Sequence, residues 1–197
     1  MKETWNSRYN SSEYIYGIAP NIFFSSFIEM NPPGYALLPA DGEGRNSVFA
    51  AMQRWQVDAF DYSESACNKA LQLAKKNNVV INYTISDIHE YKTNKKYDLI
   101  ALIYLHLIPE ERSVFFKKLS GLLKPGGHII LEAFSKNQIH NSSGGPKDNN
   151  LLYDLSEIKT DFFDLQIKIL KEEEIYLEEG LLHRGKANVV RLIAQKN

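Results

Sequence analysis

The sequence predicts a doubly wound α/β fold: one mostly parallel seven-stranded sheet with an antiparallel pair of strands at the carboxyl end. Three observations carry this. Five short apolar runs between Tyr35 and Phe134 are separated mostly by helical patterns, the order that builds a parallel sheet. The first run leads into a glycine-rich turn, Asp41-Gly42-Glu43-Gly44, and directly into a helical pattern, which is how such sheets make a nucleotide-type pocket at a strand's carboxyl end. The last two apolar runs, 165–177 and 186–194, are joined by a connection too short for a crossover helix, so they should be antiparallel.

The 197 residues suit a single domain, read as an arm or lid over 1–19, a core over 20–134, and a loop, helix and hairpin over 135–197. Hydrophobic residues make up 44% and charged residues 24%, ordinary for a globular protein. A net charge of −1 creates no overall field for nucleic acid or an anionic membrane. The single cysteine, Cys67, rules out an intramolecular disulfide and reads as a packed thiol in a reducing compartment. No apolar run reaches membrane-spanning length, and Met1 to Trp5 lack a signal peptide's apolar core. The expected location is cytoplasmic, and the expected state a monomer or homodimer.

Along the chain, Trp5, Arg8, Tyr9, Tyr14 and Tyr16 form a polar, aromatic arm, read either as packing or as a lid over a small-molecule pocket. Pro20 is expected at the first turn of a helix whose apolar face is Phe23, Phe24, Phe27 and Ile28. Tyr35–Pro39 is the first strand, and a helix follows the glycine turn from Ser47. Gln56–Phe60 is the second strand, with Ser63 as cap of the next helix and Glu64 in its first turn. Val79–Ile85 is the third. Tyr97–Tyr104 is nearly continuous in apolar residues, as a central strand covered on both faces requires. Pro109 starts a helix that Lys124-Pro125-Gly126-Gly127 should end, feeding a fifth strand over His128–Phe134. The polar stretch 135–150 is long enough for a functional loop.

Ligands bind beyond the carboxyl ends of parallel strands. Asp61 lies 17 residues after Gly44, where a carboxylate can accept hydrogen bonds from both ribose hydroxyls of an adenosine-type ligand. Asp87 stands where an adenine amino group is read, or is simply a turn residue. Two ligands use such a frame, a nicotinamide dinucleotide and S-adenosylmethionine. Asp41 and Glu43 on the loop would repel a pyrophosphate and attract a sulfonium or ammonium, by about a few kcal/mol per close pair before desolvation. Arg45 can answer the ligand's carboxylate or pair with Glu43.

Several motifs stand in one order. Trp5-x-x-Arg8-Tyr9, Tyr16-Gly17 and Pro20-Asn21 are followed by Gly42-Glu43-Gly44-Arg45-Asn46, Asp61-Tyr62-Ser63, Asp87 and Leu123-Lys124-Pro125-Gly126-Gly127. Glu132-Ala133-Phe134, Gln138, Gly144-Gly145-Pro146, Glu179-Gly180 and His183-x-Gly185 come after. With these the chain resembles a class I S-adenosylmethionine-dependent methyltransferase, of the small kind grouped near tellurite-resistance and thiopurine methyltransferases, over nearly its whole length. The resemblance implies a Rossmann-like fold, S-adenosyl-L-methionine as cofactor, and methyl transfer to a small-molecule acceptor. Two positions depart from the pattern. Leu38 stands where the class usually has an acid two residues before its first glycine, and Ala40 stands at that glycine.

Residues and resemblance together give a cofactor set of Arg8, Asp41, Gly42, Gly44, Arg45, Asp61, Tyr62, Ser63, Asp87, Ile88 and Tyr104. Tyr16, His140 and His183 are assigned to the acceptor. Methyl transfer is an in-line displacement needing alignment and exclusion of water, with a base only for a protonated acceptor. His106, just after the fourth strand, is the candidate base; the alternative is a histidine hydrogen-bonded beneath its loop. The histidines lack metal-ligand spacing, and no metal is expected. A dinucleotide-dependent oxidoreductase and a catalytically silent S-adenosylmethionine-binding module are the rival readings.

Overall fold

The computed structural model describes residues 9–197. Its elements are α1 (Ile22–Met30), β1 (Tyr35–Pro39), α2 (Arg45–Met52), β2 (Gln56–Asp61), α3 (Glu64–Lys76), β3 (Asn82–Ile85), β4 (Tyr97–Ile103), α4 (Pro109–Leu122), β5 (Leu123–Phe134), α5 (Leu155–Asp161), β6 (Gln166–Glu179) and β7 (His183–Gln195), with 3-10 turns at Lys136–His140 and Asn149–Leu151. The fold class is the predicted one: a seven-stranded mixed sheet in the order β3-β2-β1-β4-β5-β7-β6. Two compact units make up the chain, residues up to Thr93 with Glu179–Leu182, and Asn94–Glu178 with His183–Asn197.

In the first unit, β1 pairs with β2 in parallel, Tyr35 opposite Gln56 through Pro39 opposite Phe60, and β2 pairs with β3 in parallel. Three element ends differ from expectation. Asn21, not Pro20, sets the start of α1, because its side chain accepts the Phe24 N–H at 3.0 Å. α2 begins two residues early, at Arg45, because Gly44 caps it in the left-handed conformation. β3 is shortened to Asn82–Ile85. Asn78 turns left-handed at φ 56°, and the Val79 N–H returns to the Ala74 carbonyl at 3.1 Å, so residues 79–81 are used in leaving α3. Ser63 caps α3 as expected, accepting the Ala66 N–H at 3.2 Å.

In the second unit, β4 is the buried strand its composition demands, with Leu99, Ile100, Ala101 and Leu102 closed to solvent. The Lys124-Pro125-Gly126-Gly127 segment belongs to β5 and is not a terminating loop. Tyr97 sits opposite Leu123 and Leu99 opposite His128, so the segment is the extra length of a bulge. β5 then pairs antiparallel with β7, His128 opposite Gln195 through Phe134 opposite Val189. Residues 135–150 are organised by one buried side chain. Gln138 Nε2 donates to Ser143 Oγ and the Gly144 carbonyl, and its Oε1 accepts the Asn188 N–H at 2.8 Å.

Candidate functional site

The glycine turn is a run of unusual backbone. Ala40, Gly42 and Gly44 have φ of 50°, 61° and 85°, a region that costs a residue with a Cβ about 1–2 kcal/mol. Gly44 is required on steric grounds as well, since a Cβ there would lie 2.5 Å from the Ala70 Cβ of α3. Ala40 thus stands in the left-handed region without being a glycine.

Asp61, at the end of β2, braces this turn. Its Oδ2 accepts the Gly42 N–H at 3.2 Å and its Oδ1 the Ser63 N–H at 2.9 Å. Burial pushes the carboxyl up, opposed by backbone N–H groups of Ser63, Gly42 and Tyr62. Two phenols that sequence reasoning left out of the site complete the surroundings. Tyr83 Oη donates to the Gly42 carbonyl at 2.6 Å. Tyr9 lies over Gly42, its Oη 2.9 Å from where a Cβ would stand, and burial followed by the Asp61 charge raises its pKa.

The two loop acids part company. Glu43 accepts the Ile15 N–H at 2.8 Å and pairs with Lys69 at 2.6 Å, so its charge is answered within the protein. Asp41 has the Ser47 hydroxyl and backbone N–H near enough to favour its charge, while its Oδ2 is closed to solvent and has no partner among the described residues. Burial, with Asp61 adding repulsion, pushes the Asp41 carboxyl up to about 7. Arg45 does not pair with Glu43. It pairs with Glu179 at 2.9 Å and donates to the Tyr16 and Ala19 carbonyls. Glu179 also accepts from Asn21 Nδ2 at 3.1 Å. The Leu181 N–H donates to the Ile15 carbonyl, and Gly180 packs so close that a Cβ would stand 2.3 Å from that oxygen. Arg45 and Glu43 thus strap residues 13–19 and 179–182 to the two sides of Gly44.

Of the remaining first-unit candidates, Ser63 gives its hydroxyl to the α3 cap, and Asp87 is a turn acid whose Oδ1 accepts the His89 N–H at 2.9 Å. Ile88 is buried, Tyr62 is half-buried, and Tyr16 packs against Tyr9, Ile15 and Ala66. Arg8 and Trp5 lie outside the described residues.

The second unit assembles an aromatic platform. Tyr104, left-handed at φ 53°, donates from Oη to Glu132 Oε1 at 2.9 Å. Its ring meets Phe134 at 4.8 Å and His183 edge-on at 4.6 Å. His106 stacks on Phe134 at 5.6 Å and lies 5.4 Å from the Tyr153 ring. His106 Nδ1 is 2.6 Å from the Leu151 carbonyl oxygen. A carbonyl only accepts, so Nδ1 carries the hydrogen and Nε2 is bare. That Nε2 is closed to solvent and has no partner among the described residues. Burial lowers the pKa of His106 to about 4. Tyr153 brackets the residue, its Oη donating to the Leu105 carbonyl at 2.7 Å and accepting the Leu107 N–H at 3.1 Å. Arg112 lies 4.8 Å from the Tyr153 ring, anchored by Asp161 at 2.5 Å and Glu157 at 3.2 Å. His140 is exposed and lines a separate cavity of about 490 Å³ with Lys136, Asn149, Asn150 and Glu157.

The first-unit site fits S-adenosylmethionine better than a dinucleotide. An unpartnered buried carboxylate oxygen beside a second carboxylate accommodates a cation and repels a phosphate. Among the described residues no cluster of metal-ligating side chains occurs, and no helix is long and apolar enough to cross a membrane.

Comparisons with known proteins agree with this geometry. A family model described as a methyltransferase domain matches residues 39–127. Thiocyanate methyltransferase 1 of Brassica oleracea is 31% identical over 119 residues, 58% of this chain and 51% of that protein. A ubiquinone biosynthesis O-methyltransferase of Rickettsia canadensis is 33% identical over 95 residues, 48% of this chain and 40% of that one. The chain thus spans about half the length, or less, of these curated relatives. The TehB structure from Haemophilus influenzae shares the fold, with a TM-score of 0.75 at 18% identity, over 100% of this chain and 67% of that one. In the methyltransferase domain it carries over residues 39–127, the relatives it matches and the sheet it folds into, the chain is similar to the class I S-adenosylmethionine-dependent methyltransferases.

Proposed function

We propose that this protein transfers a methyl group from S-adenosylmethionine to a small-molecule acceptor. The observation that carries the reading is the left-handed glycine turn braced by Asp61, with the unanswered Asp41 oxygen beside it. Bound there, the cofactor supplies a methyl carbon already activated by its sulfonium. Asp61 has lone pairs left after its two backbone bonds and takes the ribose hydroxyls. Asp87 and Ile88 border the adenine, and the backbone of 42–44 supports the methionine part. Tyr9, lying over Gly42, excludes water from that face.

On the acceptor side, His106 takes the proton that a neutral nucleophile must lose, using the bare Nε2 that the Leu151 carbonyl selects by binding Nδ1–H. Tyr104, Phe134 and His183 form an aromatic wall suited to a small, partly apolar acceptor. Tyr16 and His140 remain assigned to the acceptor as well, with Ser63 and Tyr62 supporting the cofactor. The near-zero net charge favours a small molecule over nucleic acid, and the names of the relatives, one acting on thiocyanate and one in ubiquinone biosynthesis, are of small-molecule enzymes. A cytoplasmic protein, monomeric or homodimeric, is the accompanying expectation.

Calorimetry tests the reading directly. S-adenosylmethionine should bind and NAD should not; the reverse result would establish the oxidoreductase instead. Binding without turnover of any thiol, hydroxyl or amine acceptor would leave the silent binding module.

A further inference from the structure

We propose that Asp41 is the counter-charge this site offers to the positive part of its ligand, and that binding converts its carboxyl group from the neutral acid to the carboxylate, releasing one proton to solvent. The inference rests on the S-adenosylmethionine reading above and concerns what is particular to this chain. The class's usual acid position holds Leu38, an aliphatic side chain 1% exposed in the core of β1. It has no charge to offer. Of the remaining acids at the turn, Glu43 is paired with Lys69 and the Ile15 N–H, and Asp61 accepts one backbone N–H on each oxygen and is assigned to the ribose hydroxyls. Asp41 alone keeps an oxygen that is closed to solvent and unpartnered among the described residues.

The groups facing it are few. Asp61 repels its charge, and Arg45 attracts it weakly because the guanidinium is engaged by Glu179 and two backbone carbonyls. The Ser47 hydroxyl, which donates to the Gly44 carbonyl, and the Ser47 N–H both favour the charged form, and the Tyr83 hydroxyl, also near, donates to the Gly42 carbonyl. A carboxylate whose oxygen is closed to solvent in that position is answered by a proton or by a cation. Without ligand the proton is held to about pH 7. A sulfonium or ammonium that reaches the oxygen replaces it. Only the O–H bond breaks, the ligand keeps its charge, and the proton leaves to buffer. A phosphate-bearing ligand gains nothing from this exchange, so the same residue also sets the choice of cofactor.

Titration calorimetry with S-adenosylmethionine and, separately, S-adenosylhomocysteine, in buffers of different ionisation enthalpy, reads the exchange. Below pH 7 an α-ammonium, with its ordinary pKa of about 7.7–8.0, stays protonated and adds no proton of its own. At pH 6 the wild-type protein should release about one proton per ligand, and affinity should rise on the order of tenfold between pH 5.5 and 7. Linkage with both ligands makes the ammonium the partner of Asp41; linkage with S-adenosylmethionine alone makes it the sulfonium. Asp41→Asn should abolish the proton release and the pH dependence. Its thermal melt without ligand at pH 7.5 checks that it folds. Wild-type binding without proton release overturns the proposal, and so does a folded Asp41→Asn variant that retains the release. Failure of both ligands to bind overturns the cofactor reading itself, a separate and recognisable result.

Discussion

Among the buried polar atoms that have no partner among the described residues, two belong to groups that burial shifts far: Asp41 Oδ2 in the first unit and His106 Nε2 in the second. Both belong to groups that burial drives to the neutral form, an acid held protonated to about pH 7 and a base held unprotonated down to about 4. The supports differ. Asp41 sits on a strained turn whose geometry is local, set by Ala40, Gly42 and Gly44 and held by Asp61. His106 sits in a loop held from afar, by the Leu151 carbonyl and the Tyr153 hydroxyl, which is in turn backed by Arg112. The difference suits the two tasks proposed for them: the cofactor is assigned to a compact local motif, and the acceptor to side chains gathered from distant segments.

The largest way to break this comparison is His106→Ala. If Nε2 takes the acceptor's proton, turnover of thiol or hydroxyl acceptors should fall about 100- to 10,000-fold with cofactor affinity unchanged. Loss of cofactor binding in a calorimetric titration would move His106 out of the acceptor role. Gly44→Ala tests the local side. Its left-handed φ and the Ala70 Cβ 2.5 Å away should together destabilise the fold by about 3 kcal/mol in urea unfolding.

The pH dependence of stability then separates the two orphan atoms by sign. The folded-state pKa of His106 lies below its ordinary value of 6.5, so the unfolded chain binds the extra proton. Stability should be lost as pH falls from 6.5 towards 4, by roughly 2–3 kcal/mol. The folded-state pKa of Asp41 lies above its ordinary 3.8, so the folded chain binds the extra proton, and stability without ligand should be lost as pH rises from 3.8 to about 7. His106→Gln should flatten the acid limb and Asp41→Asn the neutral one, in thermal melts across that range. A smaller effect is expected from Asp61→Ala, which should weaken S-adenosylmethionine by about 1.5–3 kcal/mol through lost hydrogen bonds; unchanged affinity would remove Asp61 from the site. The smallest is a gain. Ala40→Gly should stabilise the fold by about 0.5–1 kcal/mol, because φ 50° costs alanine and not glycine.

The local half of the site was legible because its signals are short-range. Gly42, Gly44 and Asp61 announce a strand, a turn and a carboxylate at fixed offsets, and Ser63 announces its helix cap, which the structure bears out. The Glu43–Arg45 pair that the sequence offered does not form. Lys69 and Glu179, 26 and 134 residues away, claim them. Tyr9 stood in the Trp5-x-x-Arg8-Tyr9 motif and Tyr83 in none, but neither was assigned to the glycine turn, since what places their hydroxyls at Gly42 is the packing of an arm and a strand edge. For His106 the sequence raised both a base and a histidine tied beneath its loop. In the structure Nδ1 is tied to Leu151 while Nε2 is left bare, so the two readings describe opposite sides of one ring.

By itself the sequence determined the order of strands and helices and the parallel sheet with its reversed final pair, because periodicity, caps and glycine turns act over a few residues. Only the tertiary structure decided which charges are answered and which are left over. Burial and hydrogen-bond partnership are properties of segments brought together from across the chain, and a carboxylate or imidazole acquires its protonation state from that company rather than from its neighbours in sequence.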